Sequence, residues 1–228
     1  MTSTKKLTAI LTAAFLFNGI FVSNVNAAPK PTAKPAANNG EVQITCKPTK
    51  AIGHREKKVG TPKLQKFSKN RVITLNTNCG EIVIEAFAKK APVTVSMLSG
   101  LVTSKFYDQS ICHRMIYSQS AALLQCGDPT ASGYGGPQFQ FNDENLPKAA
   151  LNNYPAGTVA MANSGPNTNG SQFFIMAANT TLDPYYTVWG KVTKGLEIVQ
   201  AVVANGTATG EEVGQPKVKI AIEKVSIR

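Results

Sequence analysis

MANSGPNTNGSQFFI, residues Met161 to Ile175, is the stretch that decides how this chain is read. It joins a loop too polar to be buried to an aromatic run too apolar to be exposed, which is the composition of a pocket wall. Gly165, Pro166, Asn167, Asn169 and Gly170 punctuate a turn, because Gly and Asn tolerate positive φ and Pro presets φ near −65°. Phe173, Phe174 and Ile175 then read as a buried strand. Strand alternation sends neighbouring side chains to opposite faces, so Phe173 is expected in the core and Phe174 on the other side.

A second block lies upstream: Cys112-His113-Arg114-Met115-Ile116, then Leu123-Leu124-Gln125-Cys126-Gly127-Asp128-Pro129-Thr130, then the Gly-rich Gly133 to Pro137, then Phe141-Asn142-Asp143-Glu144. Downstream, Tyr186-Thr187-Val188-Trp189-Gly190-Lys191-Val192 closes the series. In this order the motifs resemble those of the cyclophilins, the peptidyl-prolyl cis/trans isomerases, over about Asn70 to Arg228. The resemblance implies a mainly β fold, a closed eight-stranded antiparallel β-barrel capped by two α-helices, with the binding groove on the outer wall. Many short strands and two isolated helices point to the same architecture independently.

The helices are expected over Pro92–Lys105, with Pro92 in the first turn and Val93, Met97 and Leu101 on one face, and over Leu196–Val203. Alternation predicts strands over Val72–Asn76, Glu81–Phe87, Thr187–Val192 and Lys217–Ile227.

Rotation about a peptide bond faces a barrier of roughly 18–20 kcal/mol from amide resonance. Lowering it requires stabilising a twisted amide, which a fixed cation and an apolar proline pocket can do without nucleophile, metal or cofactor. The resemblance makes Arg114 that cation, and arginine suits the task because its guanidinium is permanently charged and presents several donors. It makes Gln125 the residue that holds Arg114, and Asn163 the backbone with which a peptide pairs like an added strand. Phe174 would form the pocket floor with Leu123, Leu182 and Tyr186, and Ala162 and Gln172 complete the substrate contacts. His113 is read as structural. The chain departs from the family in a longer connection between Arg114 and Gln125, and in Ala122, Leu123, Thr181 and Tyr186 where other cyclophilins carry Phe, Met, Trp and His. These changes are similar to those of secreted or membrane-tethered actinobacterial cyclophilins. They predict a pocket widened on the Ala122 side, weakened cyclosporin binding and lower activity on short peptides. The competing function is a non-catalytic module that binds proline-containing segments.

Outside the motifs, residues 1–27 read as a secretory signal, with Lys5-Lys6, an apolar run from Leu7 to Val22 and cleavage after Ala27, or as an uncleaved anchor. Residues 28–69 form a basic Pro/Ala/Lys-rich linker expected to be extended. The net charge of +11 is concentrated there: residues 28–70 carry ten Lys/Arg against two Glu, whereas residues 71–228 carry twelve against eleven acids. The folded part is thus nearly neutral, and without interleaved aromatics the basic segment does not read as nucleic-acid binding. It reads as a solvated tether or as electrostatic attraction to an anionic envelope or membrane surface. An exported monomer acting on proline-containing segments of other exported proteins is the expectation.

Cys46, Cys79, Cys112 and Cys126 suit an oxidising compartment and have the wrong spacing for zinc. Of three possible pairings, Cys112–Cys126 across a hairpin is favoured, which leaves Cys46–Cys79; buried free thiols are the alternative. The Asn169, Asn179 and Asn205 sequons read as turn chemistry.

Overall fold

A computed structural model describes residues 44–53 and 58–228. The expected signal over 1–27, and residues 28–43 and 54–57 of the expected linker over 28–69, His54 included, lie outside the described residues.

The strands, in chain order, are β1 (Arg71–Thr77), β2 (Gly80–Ala86), β3 (Ser110–Ile111), β4 (Arg114–Tyr117), β5 (Ala122–Cys126), β6 (Thr158–Met161), β7 (Phe173–Met176), β8 (Val188–Lys194), β9 (Val213–Gly214) and β10 (Ala221–Ile227). The helices are α1 (Pro92–Thr103), between β2 and β3, and α2 (Leu196–Ala204), between β8 and β9. All ten strands share one antiparallel sheet in the order β3-β10-β1-β2-β8-β6-β7-β5-β4-β9. This corrects the closed ring of eight. The sheet curls but has two ends, the two-residue strands β3 and β9. β3 nevertheless runs straight into β4 through Cys112 and His113, so one continuous segment pairs with β10 at its start and β5 at its end. Covalent chain, not a ladder, spans the seam.

Alternation fixes the register. Ile73 and Leu75 of β1 lie opposite Ile84 and Ile82 of β2, and all four are buried. Each such side chain contributes roughly 1.5–3 kcal/mol relative to exposure. A slip of one residue would turn the whole set to solvent. Strands β5, β6 and β7 differ because both their faces are covered. Leu124, Val159, Met161, Phe173 and Ile175 point into the main core, while Leu123, Ala160, Phe174 and Met176 join Tyr154 in a second, smaller cluster on the outer wall. Burial on two faces is why these strands read as unbroken apolar runs.

Helix α1 starts at Pro92, whose missing N–H costs nothing in the first turn. Ala91 offers no side-chain cap; instead the Glu144 carboxylate accepts from Val93 N (3.4 Å) and Thr94 N (2.6 Å). The Phe141–Glu144 motif therefore places a negative charge at the positive end of the helix. Buried hydroxyls on α1 bond back one turn, Ser96 Oγ to Pro92 O and Ser99 Oγ to Val95 O. The helix stops short of Lys105, which adopts φ 55°. The last ladder covers Ala221–Ile227 rather than starting at Lys217, because Lys217 N donates instead to Gly206 O beyond α2. Both disulfides are formed, Cys112–Cys126 within the core and Cys46–Cys79 at the β1–β2 turn.

Residues 44–53 and 58–69 contain no helix or strand, yet they lie on the folded body. Ala51 is buried, and Ile44, Val59 and Phe67 pack against the main core. The body thus reaches upstream of Asn70. Among the described residues no helix is long and apolar enough to cross a membrane.

Candidate active site

The β4–β5 hairpin sets the site. Arg114 lies directly opposite Gln125, and its Nη1 donates to Gln125 Oε1 at 2.9 Å. The long connection between them is absorbed in the Ser118–Ala121 turn at the far end of the hairpin, where Ser118 N donates to Ala121 O. The pair is therefore undisturbed by the added length. Gln125 Nε2 donates to Gln172 Oε1 (2.9 Å), and Gln172 Nε2 donates to Gly133 O (3.0 Å) and Gly135 O (2.9 Å). A chain of hydrogen bonds thus runs from the guanidinium to the Gly-rich loop.

That loop is wound around Asp128. Its carboxylate, fully buried, accepts from Thr130 N (2.8 Å), Thr130 Oγ1 (2.7 Å), Gly133 N (2.6 Å) and Gly135 N (3.1 Å). Burial alone would raise its pKa, but the Thr130, Gly135 and Gly133 donors outweigh it and hold the carboxyl below the ordinary value.

Arg114, Gln125, Leu123, Ala162, Asn163, Phe174, Leu182 and Tyr186 all line one groove of about 680 Å³ on the outer wall. Phe174 forms its apolar floor, its ring T-shaped to that of Tyr186 with 5.3 Å between centroids. Gln172 lines a neighbouring groove of about 330 Å³ that shares Gln125, Ala162 and Asn163 with the first. Strand β6 ends at Met161, so the backbone of Asn163 lies past its ladder. The Asn163 side chain is committed locally: Nδ2 donates to Tyr185 O (2.8 Å) and Oδ1 accepts from Gly165 N.

Ala122 is not on the groove. It lies with Leu124 and Cys126 on the interior face and packs in the main core, so widening of the pocket on that side is not what the fold produces. His113 borders the groove but is buried. Burial lowers its pKa; Asp128 pulls it up and Arg114 pushes it down, with a net fall that favours neutral imidazole.

Two residues that sequence reasoning missed hold the apolar wall. Asn153 Nδ2 donates to Leu182 O (2.8 Å) and Leu182 N donates to Asn153 Oδ1 (3.0 Å). The fully buried Tyr154 packs behind Phe174 and Tyr186, and its hydroxyl accepts from Tyr186 N (3.2 Å). A lone aromatic in the polar run Asn152-Asn153-Tyr154-Pro155 is the only signal the sequence offered for it. Asn169 is buried in the signature loop and donates to Phe141 O and Asp143 Oδ1, in keeping with turn chemistry. Among the described residues no group of three or more His, Cys, Asp or Glu could hold a metal ion.

Residues 72–227 match the family described as cyclophilin type peptidyl-prolyl cis-trans isomerase. The chain is 38% identical over 215 residues to a protein of Mycobacterium tuberculosis named probable peptidyl-prolyl cis-trans isomerase B, covering 87% of this chain and 68% of that one. The protein of the same name in Mycobacterium leprae is 34% identical over 212 residues, with 86% and 70% covered. Among solved structures, a cyclophilin type peptidyl-prolyl cis-trans isomerase of Cryptosporidium parvum superimposes with a TM-score of 0.60 at 26% identity, covering 70% of this chain and 98% of that one. The same Cryptosporidium protein in the presence of the dipeptide Ala-Pro gives a TM-score of 0.59.

Proposed function

The chain belongs to the cyclophilin-type peptidyl-prolyl cis-trans isomerases, and from that premise we propose that it accelerates X-Pro rotation in exported proteins, with Arg114 stabilising the twisted amide. The observation that carries this reading is the Arg114–Gln125 pair standing in the same groove as the Phe174 floor. A cation and an apolar seat within one groove are what the reaction needs. The proline ring sits on Phe174 against Leu123, Leu182 and Tyr186, and the Asn163 backbone pairs with the peptide as an added strand. As the C–N bond twists, resonance is lost and the nitrogen becomes basic. Arg114, fixed at one edge by Gln125, donates toward that nitrogen and interacts with the carbonyl oxygen. No bond is broken and no proton is lost to solvent, so nothing in the cycle has to be regenerated. Uncatalysed X-Pro exchange takes about tens to hundreds of seconds, which leaves room for a modest number of kcal/mol to matter in folding.

Export is supported by the apolar run after Lys5-Lys6 and by two disulfides, which persist in oxidising compartments. We assign residues 1–27 to the export signal and the basic segment over residues 28–69 to electrostatic contact with an anionic envelope surface. Exchange NMR on an Ala-Pro peptide tests the function. Faster cis/trans exchange on adding the full-length chain supports the enzyme; peptide binding with no acceleration would make it a non-catalytic module instead.

A further inference from the structure

Residues 44–53 and 58–69 lie outside residues 72–227, which match the family model, yet they are fastened to the body at several places. At one end Cys46 is bonded to Cys79, Lys47 N donates to Asn78 O (2.9 Å) and Asn78 Nδ2 returns to Lys47 O (2.9 Å). At the other, Gln65 N donates to Ser96 Oγ (2.9 Å) on α1, and Pro62 sits so close to Gly100 that a Cβ there would lie 2.4 Å from its ring. Gly53 backs onto the start of the Gly-rich loop. It holds φ +94°, and a Cβ on it would stand 3.0 Å from Pro129 O and 3.3 Å from Thr130 O. Only glycine meets both demands without strain.

Pro129 and Thr130 follow Asp128 directly, and Asp128 holds the amides of Gly133 and Gly135, whose carbonyls hold Gln172. A loop containing Gly133, Gly135 and Gly136 has little stiffness of its own. We propose that this N-terminal segment is a strap that positions the loop, and through Gln172 and Gln125 also Arg114, making Gly53 a positioning residue for isomerisation. The inference rests on the isomerase reading for its effect on rate, but not for the contact itself. A support that orders the loop before substrate arrives removes an ordering cost from the transition state.

The test is Gly53→Ala in the full-length chain, with Gly60→Ala as control because nothing lies within 4 Å of a Cβ there. Melting temperature, kcat and KM on an Ala-Pro peptide are measured, together with the amide resonances of Gly133 and Gly135 and the side-chain amides of Gln125 and Gln172. The strap predicts that Gly53→Ala moves those resonances and lowers kcat about fivefold with KM within about twofold, while the control does neither. If Gly53→Ala does not fold, the double variant Cys46→Ser/Cys79→Ser releases the Cys46 end of the strap and carries the same expectation. A folded variant with unmoved resonances and unchanged kcat overturns the proposal. Were the unaltered chain inactive, the enzyme reading would fall by itself, and the resonances would still decide whether the strap holds the loop.

Discussion

Arg114, Gln125 and Phe174 were legible because each stands in a motif whose neighbours fix its partner: a hairpin pairs Arg114 with Gln125, and alternation turns Phe174 outward. Tyr154 was not, because its role depends on three segments meeting. Burial pushes its pKa up to about 12, so the hydroxyl stays protonated at neutral pH, able to accept from Tyr186 N and donate to Asp183 O or Tyr186 O. Tyr154→Phe keeps the ring but orphans the Tyr186 amide, a loss of about 1–3 kcal/mol in stability by urea unfolding. The slackened wall should raise KM for a proline peptide about threefold while kcat changes less. Burial leads the shift at His113, so the folded chain binds a proton there less readily than the unfolded chain, whose value is the ordinary 6.5. Stability from this group is therefore full above that value and declines as the pH falls through it and toward the lower folded value. Unfolding midpoints measured between about pH 7 and pH 5 should fall for the parent and fall less for His113→Gln, whose side chain does not titrate in that range.

Among the elements, those with a strong pattern were predicted within a few residues, as in β1, β2, α1 and α2. The two-residue strands β3 and β9 were not, since two residues carry no period; they raise the expected eight strands to ten, while the lack of a ladder between β10 and β4 leaves the sheet open. The misplacement of Ala122 has a related cause. Similarity assigned it to the pocket, whereas the pleat of β5 groups it with Leu124 and Cys126 inside. Helix α1 shows how a sequence motif can serve the scaffold rather than the chemistry. Its first amides depend on Glu144, which arrives from a segment fifty residues away in the chain. Glu144→Ala should cost about 0.5–2 kcal/mol, as removal of a helix cap does, and Glu144→Gln should recover part of it. Thermal unfolding of the two variants checks the order.

For the molecule as a whole, composition divides the chain into a basic N-terminal part and a nearly neutral remainder, but it hides the strap. Ala51, Val59 and Phe67 are scattered among lysines, too few to show a period, and only Cys46 hinted at attachment. Lys47, Lys50, Lys58, Lys63, Lys66 and Lys69 lie in the described part of that segment, and charge attraction of this kind is worth about 1 kcal/mol per basic residue near an anionic bilayer. Exchanging all six for Gln should weaken sedimentation with phosphatidylserine-containing vesicles about tenfold or more at low salt, with little difference left near 0.5 M salt. Such binding would locate the enzyme; it would not make it one. The proposal that a cation held by Gln125 lowers the rotation barrier is tested most directly by the cis/trans exchange rate of an Ala-Pro peptide at saturation with the parent and with Arg114→Ala. Arg114→Ala should lose about tenfold or more in rate, equivalent to roughly 1.4 kcal/mol of transition-state stabilisation, while remaining folded. An Arg114→Ala chain that is folded, saturated and as fast as the parent would contradict that proposal.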